Sequence, residues 1–200
     1  MKKFIFLSLF VFSFSYADIL DKLEKKLSQI SSITAQFKQQ TFMEGLDQPD
    51  EYEGKLFISK PDTVKLEYSK PVKQIYFLKG NELIVYSPEE KQAVKTKLSD
   101  QFIMLKIFKT IASGKSLKSL FKLEKNEKKG TDTLLVLVPK DQKDIKKFTM
   151  LISDELNIKK MTIWDKEGNK IAIEFYDFEY SKNPLNLYIK IPEDTEWMEY

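Results

Sequence analysis

The sequence predicts a mainly β protein with helices (α+β): a long, mostly antiparallel series of strands, strongly curved, with helices lying over its concave face. Three observations carry this expectation. Apolar residues recur at helical spacing before residue 31 and at a spacing near two from Thr34 onward. Turn residues separate the later segments at short intervals. One strongly apolar stretch in mid-chain breaks the strand pattern.

The first helix follows from Leu20, Leu23, Leu27 and Ile30, which form one stripe between charged positions over about three turns. Leu56 and Ile58 then alternate with Lys55 and Ser59, and Val64, Leu66 and Tyr68 with Lys65 and Glu67, as in half-buried strands. Further strands are expected at 74–78, 83–86, 133–138, 147–152, 159–164, 171–180 and 187–191, divided by turns at 80–81, 129–130, 155–157 and 167–169. Residues 100–113 place Phe102, Ile103, Leu105, Ile107, Phe108 and Ile111 around most of a helix, so this element needs cover on more than one side. A second short helix is expected at 116–121 and a lysine-rich solvated turn at 122–129. Periodicity alone leaves open whether the concave face encloses a cavity or a filled core.

The chain has 200 residues. Its first seventeen read as a cleaved signal peptide: Met1-Lys2-Lys3 is a positive start, Phe4 to Phe14 an apolar core, and Ser15-Tyr16-Ala17 a small-x-small site before Asp18. The alternative, a membrane anchor, needs an apolar run of roughly 20 residues. No cysteine follows the cleavage site to accept a lipid, so the expected product is one soluble domain, 18–200. The net charge of +3 comes from lysines nearly balanced by acids, with no arginine, which is weak ground for nucleic acid as a partner.

With neither histidine nor cysteine, the chain cannot build a Ser-His-Asp triad, a Cys-His pair or the usual zinc sites, and no enzyme, cofactor or metal is expected. Gly114-Lys115-Ser116 looks like the end of a phosphate loop but lacks the glycine five residues before Gly114, where Lys109 stands. Ser119 and Lys122 have the S-x-x-K spacing without an accompanying Lys-Thr-Gly. The acids Glu89, Glu90, Asp141 and Asp144 sit in polar, lysine-rich surroundings and read as solvated surface.

Several motifs follow one another in a fixed order: Ala35-Gln36-Phe37-Lys38-Gln39, Gly54-Lys55-Leu56-Phe57-Ile58-Ser59-Lys60-Pro61, Val64 to Tyr68 with Pro71, and Gly80 through Leu83 to Tyr86-Ser87-Pro88. This set resembles the periplasmic outer-membrane lipoprotein carrier (LolA) family. The resemblance implies an incomplete barrel closed by lid helices over an apolar cavity, in a periplasmic monomer that carries the acyl chains of lipoproteins to the outer membrane. It implies as partners acylated lipoproteins, an inner-membrane releasing ABC transporter (LolCDE-like) and an outer-membrane acceptor (LolB-like). A carrier of a glycolipid or another lipid on the same scaffold is the alternative.

By the same resemblance Leu56, Ile58, Val64, Leu66 and Tyr68 on the strands, and Phe102, Leu105, Ile107 and Phe108 on the central helix, line the acyl-chain site. Lys60 stands where the family usually has an arginine that latches the lid, and the resemblance implies the same role for it; lysine lacks the planar fork, so the latch is expected to be weaker or differently placed, and an exposed strand-end charge is the alternative. Phe37 and Gln39 match the family's F-x-Q element, though Phe37 reads as core and Gln39 as a partner for nearby backbone. The likeness thins after Pro88: Gln101-Phe102 replaces the threonine-proline that commonly opens the lid helix, and Glu193-Asp194 follow the last proline in place of a glycine.

Overall fold

The computed structural model describes residues 18–141 and 144–199; the expected signal segment, 1–17, lies outside them. Helix α1 (Asp18–Ser28) leads into six strands: β1 (Ser32–Phe42), β2 (Asp50–Ser59), β3 (Thr63–Lys70), β4 (Gln74–Lys79), β5 (Glu82–Ser87) and β6 (Gln92–Lys97). A 3-10 turn (Asp100–Phe102), helix α2 (Ile103–Ala112) and a second 3-10 turn (Leu117–Ser119) interrupt the strands. Strands β7 (Phe121–Lys129), β8 (Asp132–Pro139), β9 (Ile145–Ile152), β10 (Ile158–Asp165), β11 (Lys170–Ser181) and β12 (Glu196–Glu199) follow.

Among the described residues the strands form one twelve-stranded sheet in the order β12-β6-β5-β4-β3-β2-β1-β11-β10-β9-β8-β7. Its neighbours are antiparallel except β12 on β6. The outermost strands, β12 and β7, do not pair with each other, so the barrel stays open. Curvature has visible causes in the register shifts between β1 and β11, β2 and β3, β9 and β10, and β7 and β8. At the first of these Asp177 takes a positive φ of 52°, and its carboxylate accepts from Gln36 Nε2 at 2.8 Å.

Both helices bury apolar side chains in the same core as the inner sheet face, with Leu20, Leu23, Ile107 and Phe108 sealed from solvent. Phe108 meets Phe175 of β11 edge-on at 6.1 Å. This is the curved sheet that the strand pattern predicts and the open α+β barrel that the resemblance implies, with its helices packed over the inner face.

Four local expectations need correction. Residues 122–129 are not a solvated turn but most of β7, paired along β8; as an edge strand it carries lysines on its free side, which protects the edge and hides the strand signal. The 116–121 helix is only the 3-10 turn Leu117–Ser119, because Phe121 already begins β7. Strands β6 and β12 are additions to the expected set, their few apolar residues giving little alternation.

Residues 187–191 are not a strand. The segment after β11 runs as an extended strap across the outer sheet face. Ser32 Oγ donates to the Asn183 carbonyl (2.8 Å), Ser59 Oγ to that of Leu185 (2.8 Å) and Lys65 Nζ to that of Tyr188 (3.5 Å). The strap ends where Lys91 pairs with Asp194 at 2.6 Å. Leu187, Ile189 and Ile191 alternate in burial because they lie on a sheet surface, without a ladder partner of their own.

Candidate functional site

The strand registers align the inner face of β1 to β5 into rows. The first row is Ile33, Ile58, Val64, Leu78 and Leu83, wholly aliphatic and buried. The next is Ala35, Leu56, Leu66, Tyr76 and Val85, and the third Phe37, Gly54, Tyr68, Gln74 and Ser87. Beyond it Gln39 faces Tyr52. The inner face therefore grades from aliphatic at one end of the strands to aromatic and amide at the other.

The third row joins the sequence motifs physically. The Phe37 ring lies over Gly54, where an added Cβ would stand 2.8 Å from Phe37 Cζ and 2.3 Å from the Glu67 carbonyl oxygen. Tyr68 meets Phe37 edge-on at 5.2 Å, with Tyr52 at 5.9 Å and Tyr76 at 5.7 Å. Tyr68 Oη donates to Gln39 Oε1 at 3.0 Å, and Tyr76 Oη to Gln74 Oε1 at 2.9 Å. Burial pushes the Tyr68 phenol well above its ordinary range, with Tyr76 and Tyr52 adding to the effect. Phe37 is thus core, while Gln39 serves a tyrosine and not backbone.

Leu56, Ile58, Val64 and Leu66 share one apolar cluster with Leu105, Ile107 and Phe108 of α2, all buried. Tyr68 and Phe102 pack partly buried against it, Phe102 lying in the 3-10 turn ahead of α2. Helix α2 touches β2 and β3. Its side-chain tie to the sheet runs from Lys109 Nζ to Asn81 Oδ1 at 3.2 Å, and Lys106 pairs with Asp100 just before the helix.

Helix α1 is fastened far more heavily. Glu24 accepts from Ser116 Oγ (2.8 Å) and from the Leu117 amide (2.8 Å), and Asp21 pairs with Lys118. Lys26 Nζ donates to the Glu155 carbonyl (3.0 Å) and Asn157 Oδ1 (2.6 Å) and sits 4.5 Å above the Tyr180 ring. Burial lowers the Lys26 ammonium's pKa, Glu155 opposing it, and raises the Tyr180 phenol to about 12. Ser116, in the phosphate-loop look-alike, is held by a carboxylate, which would repel a phosphate. Ser119 Oγ donates to the Ser116 carbonyl at 2.7 Å. Glu24→Ala should destabilise the fold by about 1–3 kcal/mol, read as a lowered melting temperature, since the partly buried Ser116 and Leu117 donors lose their acceptor.

Lys60 does not reach α2. From the end of β2 its Nζ donates to the Leu27 carbonyl (2.7 Å) and the Ser28 carbonyl (3.0 Å), the last carbonyls of α1. A cation there satisfies free carbonyls and opposes the negative end of the helix dipole. Partial burial holds its ammonium below the usual lysine range. Lys60→Leu is expected to cost about 1 kcal/mol and to speed amide exchange in α1, while Lys60→Arg, which keeps the donors, leaves exchange near wild type.

Residues 28–186 match the model of the family described as outer membrane lipoprotein carrier protein LolA. The chain belongs to the LolA family. An outer-membrane lipoprotein carrier protein from Helicobacter pylori (strain HPAG1) is 31% identical over 159 residues, 76% of this chain and 78% of that one. One from Wigglesworthia glossinidia brevipalpis is 26% identical over 204 residues, 96% of this chain and 93% of that one. An uncharacterized conserved protein from Thermus thermophilus superposes with a TM-score of 0.56 at 15% identity, over 92% of this chain and 98% of its own, a likeness of fold.

Sequence reasoning missed Tyr52, Gln74 and Tyr76 of the polar rows, and Glu24, Lys26 and Tyr180 of the α1 ties. The first three were readable once Gly54 is set opposite Tyr68, because the register then follows. The others join segments 90 or more residues apart and leave no local signal.

Proposed function

We propose that this LolA-family protein is a periplasmic carrier that takes up the acyl chains of lipoproteins released from the inner membrane and delivers them to the outer membrane. The observation that carries this reading is the aliphatic inner face of β1 to β5 closed by α2, a helix held mainly by apolar packing, within a fold of this family. Leu56, Ile58, Val64, Leu66, Tyr68, Phe102, Leu105, Ile107 and Phe108 are the residues proposed to meet the acyl chains as α2 withdraws. Helix α1, tied at both faces, stays with the barrel, and Lys60 secures it in place of latching α2.

The energetics suit reversible loading. Uncovering Ile103, Leu105, Ile107, Phe108 and Ile111 gives up about 8–15 kcal/mol at 1.5–3 kcal/mol per side chain. A sixteen-carbon chain entering in their place regains about 12 kcal/mol at ~0.8 kcal/mol per methylene. A single chain roughly balances the opening, and a second makes capture favourable. The proposed donor is a LolCDE-like transporter and the proposed acceptor a LolB-like protein.

The test is mass spectrometry of what copurifies with the protein from the periplasm, joined to release of a lipoprotein from spheroplasts. Diacylated or triacylated lipoproteins in the complex support the reading. A free glycolipid or other lipid moves it to the alternative carrier, and no acylated ligand with no release refutes both.

A further inference from the structure

We infer that the outer face of β7 to β11 is a docking groove for the polypeptide of the cargo, taking an extended segment that is acidic and apolar. This rests on the carrier reading and deepens it, since the inner face meets only the acyl chains.

The two halves of the outer sheet face differ in what lies on them. On β1 to β3 the strap crosses the strands, and the hydroxyls of Ser32 and Ser59 donate to its carbonyls. An extended chain laid over outward side chains is thus already a mode of packing in this fold. On β7 to β11 the outward side chains instead border an open groove of about 640 Å³. Its floor is apolar because β8 is apolar on both faces, with Leu135 and Leu137 inward and Leu134 and Val136 outward. Val136, Thr149, Thr162 and Ala172 form one cross-strand row of that floor, all buried. The Thr149 and Thr162 hydroxyls make no hydrogen bond among the described residues, and stand to a passing chain as Ser32 and Ser59 stand to the strap.

The next row alternates cation and ring: Lys147, Trp164, Lys170 and Phe42 stand side by side on β9, β10, β11 and β1. Lys147 Nζ lies 4.1 Å from the centre of the Trp164 ring, and Lys170 Nζ 3.5 Å from that of Phe42. Neither ammonium has a carboxylate partner among the described residues, whereas Lys160 is taken by Glu174 at 2.7 Å and Lys125 by Glu127. Glu124 borders the groove from β7, at the far side from Lys170. Two unpaired ammoniums beside an apolar floor fit a chain that brings carboxylates along with apolar side chains. A flat bilayer would meet the lysine ends and miss the recessed floor.

The groove also begins where cargo would leave the barrel. Thr41, Ile163 and Ile171 border an opening of about 380 Å³ on the inner side, next to Ile103 at the start of α2. Their chain neighbours Phe42, Trp164 and Lys170 border the groove on the outer side, so a polypeptide crossing this rim enters it directly. Asp100, Asp144 and Asp165 at the opening favour a neutral stretch beside the acyl chains, with the acids beyond it. From β1 to β7 the strands span about 24 Å at ~4.8 Å each, room for about seven extended residues.

The test uses two diacylglyceryl lipopeptides with the same lipid and tethers of equal length, neutral at first and then apolar with either acids or lysines. Each competes against a fluorescent fatty acyl probe on the intact protein. Wild type should bind the acidic form about three- to tenfold more tightly. The preference should vanish in Lys147→Gln/Lys170→Gln and invert in Lys147→Glu/Lys170→Glu, while both variants keep wild-type circular dichroism and affinity for the probe itself. Equal binding of the two lipopeptides by wild type, or an unchanged preference in both variants, overturns the groove and leaves the carrier reading intact. Binding to phosphatidylglycerol vesicles that needs these lysines, without any tether preference, gives the face to a membrane surface and overturns the peptide. Failure to bind either lipopeptide or the probe overturns the groove and the carrier reading together.

Discussion

Gly54→Ala is expected to lower the melting temperature by about 6–12 °C, the shift that about 3 kcal/mol of overpacking produces in a domain of this size. The new Cβ would lie 2.3 Å from the Glu67 carbonyl oxygen and 2.8 Å from the Phe37 ring. The two contacts differ in what relieves them. A ring can be trimmed, but the Glu67 oxygen is backbone of β3, so Phe37→Leu placed on top of Gly54→Ala should recover little of the loss. Recovery to within about 1 kcal/mol of the Phe37→Leu single variant would show that the ring contact dominates. By contrast, Gly130 in the β7–β8 turn has open space around the Cβ position, and its substitution is limited by its positive φ of 64°.

A disulfide joining α2 to β3 should abolish uptake of acylated cargo when oxidised and restore it when reduced. The chain has no native cysteine, so an engineered pair whose Cβ atoms face each other forms without competition. Loss of the open state reduces apparent affinity in proportion to its population, so a tenfold or greater fall in capture is expected. An equivalent lock between α1 and the sheet should change capture far less, because α1 is already tied through Glu24, Lys26 and Lys60. Unimpaired uptake with the oxidised α2 lock would rule out α2 as the moving lid.

Much of this was legible in the chain. Leu56 and Ile58, and Val64 to Tyr68, alternate because one face of each strand is buried, and that face is the same in the fold. The helix over 100–113 was legible because its apolar residues exceed one stripe. Strand β7 was not, since an edge strand satisfies its solvent side with lysines and loses the alternation. Nor was the strap, whose alternation is real but serves packing on the outer face. In the site, the clustering of the strand and helix residues was readable as shared hydrophobicity. The partner of Lys60 and the polar rows were not, because both depend on which strand ends meet across the sheet.

The position of β1 constrains how the chain can be assembled. It is the first strand made, yet it lies mid-sheet, and its pairing of Ser32 with Ser181 waits for about 150 intervening residues. Until β11 arrives, one side of β1 is an unpaired edge, and Phe37 lacks its neighbour Phe175. The strap then closes the order of events, since the Ser32 and Ser59 hydroxyls on the outer face find their carbonyl partners only in residues 183 and 185. A chain emerging amino end first would hold its earliest strands ready but unfinished, and the whole sheet would set late, in one cooperative closure around its oldest strand.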